Sequence, residues 1–117
     1  MNENEINVNG KVYALKNDAE KKDGMEYVII RTCSAGVFAG YLKERKGKES
    51  TILDARRLWQ WKGAASLSQL AEEGTSDPDG CKFPQEVKQI IVTETIEILS
   101  VTEKAKNSII NVGIWKV

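Results

Sequence analysis

The chain has 117 residues, and its 17 Lys and Arg residues balance its 17 Asp and Glu residues, so its formal net charge is zero. A chain of this length buries roughly two-thirds of its unfolded surface, enough for one core and not for two, so we expect a single domain, 1–117. Zero net charge argues against a nucleic-acid polymer or an anionic membrane as a partner, because no net field attracts one, and it is compatible with a homo-oligomer.

The first 25 residues predict a hairpin followed by a charged turn. Asn9-Gly10 suits the positive φ angles of a type I′ turn and lies between apolar residues in the segment Ile6–Leu15. The segment 16–24 is charged and polar, which is typical of an exposed turn. The N-terminus lacks an apolar signal segment, and no run in the chain has the length of a membrane span. We therefore expect no membrane association and a cytoplasmic location.

The segment Tyr27–Cys33 is rich in β-branched residues and apolar on both faces, which predicts a central strand. Arg31 interrupts this pattern on the face that also carries Ile29. An arginine beside a buried row needs a negatively charged partner. Glu94 or Glu97 could supply a carboxylate, and an anionic ligand would serve equally, so both interpretations stay open.

Two further strands, Val37–Lys43 and Ser50–Leu53, are predicted as an antiparallel pair because they flank the turn Lys46-Gly47-Lys48. Gly40 in the first of them indicates a bulge or a close approach of two backbones. The second strand is expected to continue into a stretch that concentrates arginine and tryptophan. A helix beginning at Asp54 is the alternative for that stretch.

The arginine-tryptophan stretch, taken as a strand, alternates between two faces. One face carries Arg57, Trp59 and Trp61, and the other begins with Arg56. Guanidinium and indole groups together can neutralise a phosphate and stack a flat base. Alternatively, one tryptophan row is core and Arg57 caps its edge through a cation–π contact. The residues by themselves favour this second interpretation.

A short helix is predicted over 67–73, because Ser66 and Gln69 have the spacing of a capping box and a glycine stop signal follows. The next segment, 75–84, is a loop punctuated by Asp-Pro, Asp-Gly and Phe-Pro. Phe83 in this loop is either pinned into the core or available to stack on a ligand. Spacing alone favours the core position.

The C-terminal third predicts one long strand and a second helix. Glu86–Val101 is the longest strand-like run, and we expect it to form one central strand bent near Glu94. Thr102 is a good N-cap for a helix that reaches about Ile109. Together these elements predict an α+β fold, a single domain with a mainly antiparallel β-sheet and two short α-helices packed against it.

Catalytic and metal-binding motifs are missing from the sequence. The chain has no histidine, which excludes Ser-His and Cys-His nucleophiles and removes the commonest metal ligand. Cys33 and Cys81 form no CxxC motif, so they are expected to be reduced thiols. We therefore expect no enzymatic activity, no metal and no cofactor. What remains is a binding surface drawn from Arg31, Arg56 or Arg57, Trp59, Trp61 and Phe83.

Six segments in the region 26–115 carry a combined pattern: YVIIRTxSAGVFAGYL (27–42), ARRLWxWxGAASLSQLA (55–71), GT (74–75), CKFP (81–84), IEIL (96–99) and TEKA (102–105). This pattern resembles a phage protein family, the first type of Thoeris anti-defence protein. The N-terminal 25 residues add nothing to the resemblance.

The resemblance implies a non-enzymatic sponge. Such a protein binds the cyclic ADP-ribose isomers made by bacterial TIR-domain immune proteins and returns them unaltered, in the cytoplasm of the infected host. It also implies a homo-oligomer, a dimer or an assembly of dimers such as a hexamer, with the ligand pocket at the dimer interface. Some members of the family also sequester cyclic di- or trinucleotides at a separate site.

Matched to the family pattern, Arg31, Arg57 and Phe83 are the ligand-binding positions that the resemblance implies, with the aromatic ring stacking on a base and the arginines meeting phosphates. Trp59 and Trp61 are weaker matches, and Arg56 stands beside Arg57. The family has an arginine in the C-terminal helical region, where this chain has only Lys104 and Lys106. A lysine supplies a point charge without the stacking plane of an arginine.

Two other functions remain as alternatives to sequestration. The chain could be an enzyme that degrades such a signal with Glu94 or Glu97 as its base. It could instead be a protein-interaction inhibitor of a host defence protein, with Trp59, Trp61 and Trp115 as the interface anchors.

Overall fold

The computed structural model describes residues 5–8, 11–14 and 18–117. In them the chain forms strands and two α-helices, which confirms the predicted α+β class with a mainly antiparallel sheet. The elements in chain order are β1 (Glu5–Val8), β2 (Lys11–Ala14), β3 (Glu26–Thr32), β4 (Val37–Lys46), β5 (Glu49–Arg57), α1 (Leu67–Glu73), β6 (Val87–Val92), β7 (Thr95–Ser100) and α2 (Glu103–Asn111), with a 3-10 turn at Pro78–Gly80 between α1 and β6.

The predicted N-terminal hairpin is confirmed for its two strands. β1 and β2 pair antiparallel, with Ile6 opposite Tyr13. They form a two-stranded sheet of their own. The predicted turn residues Asn9-Gly10 and the residues 15–17 lie outside the described part of the chain.

The main sheet has the strand order β6-β5-β4-β3-β7. β3 lies between β4 and β7, so its predicted central position is confirmed. The prediction of one bent central strand over Glu86–Val101 is wrong. This run forms β6 and β7, which occupy the two opposite edges of the sheet. Its apolar alternation suits two strands as well as one, and the exposed pair Thr93-Glu94 separates them.

The connection between the two edges forces the sheet to curl. Across a flat sheet, four strand spacings of about 4.8 Å would separate β6 from β7 by roughly 19 Å. Three Cα–Cα steps from Val92 to Thr95 span at most about 11 Å. The edges therefore approach each other at this end, where Thr95 N donates to Lys48 O at 2.9 Å and the Ser50 and Thr95 hydroxyls lie 2.8 Å apart.

The curled sheet has a buried cluster on each face. β3 shows the alternation directly, because Tyr27 and Ile29 belong to one cluster and Val28 and Ile30 to the other. The first cluster lies between the sheet and the helices and includes Leu70, Phe83, Ala105 and Ile109. The second cluster fills the opposite face and includes Phe38, Ile52, Ala55 and Val92.

Both helices begin and end where local signals place them. The Ser66 side chain accepts from Gln69 N, and Gly74 closes α1 with a φ of 78°. Thr102 caps α2 by accepting from Ala105 N, as predicted. The Thr102 hydroxyl also donates to Glu72 O at 2.7 Å, which joins the end of α1 to the start of α2.

The predicted close approach at Gly40 is also confirmed. The register between β4 and β5 shifts at this residue, between Ala39 and Tyr41. A Cβ atom at Gly40 would lie 2.6 Å from Ile52 Cγ2 and 2.8 Å from Leu53 O. Since the second of these atoms is backbone, β5 could not yield by rotating a side chain.

Gly40→Ala is therefore expected to lower the free energy of unfolding by about 1–3 kcal/mol, the usual cost of overpacking a core. Urea unfolding followed by far-UV circular dichroism would measure it. Gly113→Ala is the control, because a Cβ at Gly113 meets no atom within 4 Å. Equal stability of the two variants would show that the backbones do not approach this closely.

Candidate functional site

Arg56 is buried and holds the C-terminal end of the protein together. Its Nε donates to Pro84 O at 3.0 Å. Its Nη1 donates to Ile109 O at 2.8 Å, and its Nη2 donates to Phe83 O at 3.1 Å and Gly113 O at 3.0 Å. A guanidinium has five N–H donors in a fixed fork. The four carbonyls above and Ile110 O, which lies 3.5 Å from Nη1, accept hydrogen bonds from these donors. Arg56 therefore joins β5, the 83–84 segment and the end of α2, and has no donor left for a phosphate.

The burial of this charge is compensated by dipoles. The carbonyls of Ile109 and Ile110 lie in the last turn of α2, where the partial charge of a helix is negative. The Phe83 ring adds a cation–π contact, with its centroid 5.5 Å from Arg56 Cζ. Burial lowers the pKa of Arg56 from its ordinary value. The predicted candidate Arg56 thus has a structural role.

Phe83 is a core residue, as the spacing of its loop favoured. Its side chain is 0% exposed and belongs to the first cluster. The stacking role that the family resemblance implies does not fit this position, because no face of the ring is open to a ligand. The backbone carbonyl of Phe83 is also occupied, because it accepts hydrogen bonds from both Arg56 Nη2 and Trp115 N.

The surroundings of Arg57 differ from those of Arg56. It is half-buried, and its Cζ lies 4.7 Å from the centroid of the Phe38 ring at the edge of the second cluster. Among the described residues, no carboxylate lies within ion-pair distance of its guanidinium. Arg57 does make a cation–π contact, but the ring is Phe38, so the prediction that it caps a core row of tryptophans is wrong. The charge of Arg57 is available to an anion.

The prediction that Arg57, Trp59 and Trp61 share one strand face is wrong. β5 ends at Arg57, so no regular alternation extends to the tryptophans. Trp61 is half-buried and packs against the first cluster, opposite the cluster that Arg57 caps. Trp59 is 62% exposed.

Trp59 is not alone on the surface. Its indole stacks on that of Trp115, with the centroids 6.5 Å apart and the planes at 6°. Trp115 is 46% exposed, and its backbone N donates to Phe83 O at 2.9 Å, which ties the C-terminal segment in place. Lys82 Nζ lies 5.6 Å from the Trp115 ring. Two flat apolar rings and an ammonium group therefore share one exposed patch.

Arg31 pairs with one of the two carboxylates predicted for it. Its Nε lies 3.0 Å from Glu97 Oε1, and both side chains are about half-exposed. The other candidate, Glu94, accepts from Ser34 Oγ at 2.8 Å. An exposed ion pair contributes little to stability, so a stronger anion can compete for Arg31 at little cost.

The two candidate lysines of α2 differ from each other. Lys104 is exposed, whereas Lys106 is buried. The ammonium of Lys106 lies 5.7 Å from the Tyr41 ring and 6.0 Å from the Tyr27 ring. Burial raises the pKa of Tyr27, so its phenol stays neutral beneath that charge. Lys106 therefore stabilises the packing of α2, and Lys104 is the lysine of this helix that a ligand can reach.

The fold brings Trp59, Lys82 and Trp115 into one exposed patch, and Arg57 lies close to Trp59 in the chain. We call these four residues the arginine-tryptophan surface. Only Leu58 lies between Arg57 and Trp59 in the chain, so their Cα atoms are at most about 7 Å apart. Such a set suits a planar anion, because indoles stack rings and the cations neutralise phosphate or carboxylate. Sequence reasoning did not include Lys82 and Trp115 in the candidate binding surface, since only the fold brings their segments beside the segment 59–60.

Other kinds of site find little support in the described residues. Residues 18–117 contain no group of His, Cys, Asp and Glu side chains that could hold a metal ion. Cys33 is an exposed free thiol and Cys81 a buried one. No helix in the described part of the chain is long and apolar enough to cross a membrane.

The comparisons with known proteins identify a family and no individual relative. No curated protein and no solved structure matches the chain. A protein-family model, described as a domain of unknown function (DUF6948), matches residues 25–109. The match covers most of the chain and takes in the main sheet and both helices up to Ile109. The chain therefore belongs to the DUF6948 family.

Proposed function

We propose that this protein is a phage anti-defence protein that binds cyclic ADP-ribose isomers of the Thoeris system and sequesters them without cleavage in the host cytoplasm. The observation that carries the proposal is the exposed Trp59–Trp115 pair, two positions along the chain from Arg57, whose guanidinium has no carboxylate partner among the described residues. The pattern shared with the first type of Thoeris anti-defence protein supports it.

The chemistry of the arginine-tryptophan surface matches such a ligand. A cyclic ADP-ribose has a flat adenine ring and two phosphates. An indole stacks on any flat base, and arginine binds phosphate through two parallel N–H···O bonds. Lys82 supplies a second cation beside the rings. The chain has no histidine to act as a general base, which favours retention over reaction.

The proposal includes a second copy of the chain. A single half-open surface exposes one side of a small ligand to water, whereas tight binding requires most of the ligand to be enclosed. Ile110 and Ile114 near the end of α2 are 45% and 54% exposed. Trp59 and Trp115 are further exposed apolar side chains. We propose that a dimer, or an assembly of dimers such as a hexamer, encloses the ligand at this surface.

Retention of the ligand tests the proposal. The protein is mixed with a cyclic ADP-ribose isomer, freed of unbound ligand by desalting, then heated, and the released compound is identified by mass spectrometry. We expect intact ligand from the unchanged protein. Arg57→Ala should retain at least roughly tenfold less, because a charge-assisted contact to phosphate is lost.

Arg45→Ala is the matched control, since Arg45 is exposed on β4 and bonds only the nearby Gly47 O among its described contacts. It should retain as much ligand as the unchanged protein. Absence of retention by the unchanged protein would overturn the proposal. Release of hydrolysed product would indicate an enzyme, with Glu94 or Glu97 as the first candidates for the base.

A second candidate function is inhibition of a host protein by direct contact. The exposed Trp59, Ile114 and Trp115 favour it, because tryptophan is enriched among the residues that dominate interface energies. The same retention assay separates the two functions. If Arg57→Ala folds and assembles normally but no longer retains the small molecule, an account based on the interface alone fails.

A further inference from the structure

A groove in the described part of the protein shares no lining residue with the arginine-tryptophan surface. Its volume is about 680 Å³, within the range of roughly 300–1,000 Å³ that small-molecule sites occupy. It spans β4, β5 and β6 and the turn that precedes β3. Its charged lining includes Lys22, Lys43, Asp54 and Lys88.

Two irregularities of the sheet aim side chains into this groove. The register between β4 and β5 shifts between Leu42 and Glu44, which makes Lys43 an extra residue in β4. A second shift lies opposite Asp54, whose φ of 50° is a left-handed value that few residues other than glycine adopt. Bulges redirect side chains and are over-represented beside functional sites, and both of these bulges serve the same groove.

The turn Lys22–Met25 completes one rim. Asp23 and Gly24 have φ angles of 51° and 80°, as a type I′ hairpin turn requires. This turn presents Lys22, whose Nζ lies 2.7 Å from Asp54 Oδ2 and 5.6 Å from the Tyr41 ring. The hydrogen bond that Lys22 donates to Asp54 raises the pKa of Lys22. The carboxylate of Asp54 is thereby committed to Lys22.

Two lysines of the groove are left without such a partner. Lys88 lies across from Asp54, between the cross-strand pairs Leu53–Gln89 and Ala55–Val87. Yet Asp54 pairs with Lys22, and no carboxylate in the described residues lies within ion-pair distance of Lys43 or Lys88. The lining also includes the apolar side chains of Met25, Leu53 and Val87.

We propose that this groove is a second ligand site, which takes a small organic anion with an apolar or aromatic body. Lys43 and Lys88 bind the anionic group, and the apolar lining receives the body of the molecule. Lys22 and Asp23 precede the segment 25–109 that the family model matches. The site does not depend on the proposed sequestration function, because it shares no residue with the arginine-tryptophan surface.

The probe for this site is 8-anilino-1-naphthalenesulfonate, an aromatic anion whose fluorescence rises when it leaves water. We expect the full-length protein to bind it with one saturable component. Lys43→Gln combined with Lys88→Gln should weaken that binding at least roughly tenfold, since both charge-assisted contacts are lost. Lys48→Gln together with Lys21→Gln is the control, because it removes the same charge from exposed lysines outside the groove.

A further variant gives a change of the opposite sign. Asp54→Asn keeps the left-handed backbone, which Asn tolerates well, but it removes a carboxylate and releases Lys22. Binding of the anion should therefore tighten by roughly threefold or more. A merely structural role of Asp54 would not produce a gain.

Three outcomes would overturn the proposal. The first is binding that does not change in the double lysine variant. The second is equal binding of the uncharged analogue N-phenyl-1-naphthylamine, which would indicate simple adsorption to apolar surface. The third is loss of the signal in Trp59→Ala with no loss in the lysine variant, which would place the probe on the arginine-tryptophan surface. Far-UV circular dichroism of each variant confirms that it is folded.

Discussion

Arg56→Met is expected to lower the free energy of unfolding by about 3 kcal/mol or more, which in a domain of this size lowers the Tm by roughly 10 °C or more. Methionine nearly fills the volume of the arginine stem but donates no hydrogen bond. The carbonyls of Phe83, Pro84, Ile109 and Gly113 would then lose their donor in the interior. Each buried acceptor left unpaired costs about 1–3 kcal/mol. The expected total is smaller than their sum because water can enter from the C-terminal side.

Differential scanning calorimetry or urea unfolding measures this loss, and two further variants define its cause. Arg56→Lys should recover little, because a lysine places three donors on one atom and cannot span carbonyls on opposite sides of a planar fork. Arg45→Met is the control for an exposed arginine of the same sheet and should stay within about 0.5 kcal/mol of the unchanged protein. Near-normal stability of Arg56→Met would mean that the carbonyl cluster has another source of donors.

The adjacent residues Arg56 and Arg57 show how one chain divides two roles between identical side chains. Successive residues of a strand point to opposite faces. Arg56 therefore enters the side that the helices cover, and Arg57 lies on the Phe38 ring at the edge of the other cluster. The first guanidinium is saturated by carbonyls, whereas the second has no carboxylate partner in the described residues. Stability and ligand binding can thus be altered separately at neighbouring positions.

Features set by local chemistry could be predicted from the sequence. The caps at Ser66 and Thr102, the turn around Gly47 and the close approach at Gly40 follow from the residues within a few positions. Each depends on a backbone conformation or a hydrogen bond that those residues favour wherever the helix or strand lies. The apolar alternation of β3 likewise identified a strand buried on both faces.

Features set by distant contacts could not be predicted. The run Glu86–Val101 has one continuous alternation, and only the closure of the curled sheet places its halves on opposite edges. The face of Trp61 was predicted wrongly because β5 ends at Arg57 and its alternation does not extend further. The pairing of Trp59 with Trp115 joins positions 56 residues apart (115 minus 59), and no local signal reports it.

Phe83→Ala is expected to cost about 3–5 kcal/mol of stability, the usual loss when a fully buried aromatic ring is truncated. The ring is 0% exposed, packs in the first cluster and lies beneath the Arg56 guanidinium. Phe83→Leu, which keeps most of the apolar contact, should cost less than about 1.5 kcal/mol. Urea unfolding of both variants measures the difference.

Ligand retention by the same variants then decides whether Phe83 acts through the core or by touching the ligand. A core role predicts that Phe83→Leu, once corrected for its folded fraction, retains a cyclic ADP-ribose isomer within about twofold of the unchanged protein. The reason is that an apolar replacement inside the core leaves the surface in place. Trp59→Leu should show the reverse pattern, since the ring of Trp59 is exposed. Its free energy of unfolding should stay within about 0.5 kcal/mol of the unchanged protein. Its ligand retention should fall roughly tenfold, the usual contribution of one stacked base. Loss of retention in folded Phe83→Leu, with Trp59→Leu unaffected, would instead show that the ring leaves the core to stack on the ligand and that the arginine-tryptophan surface is not the binding site.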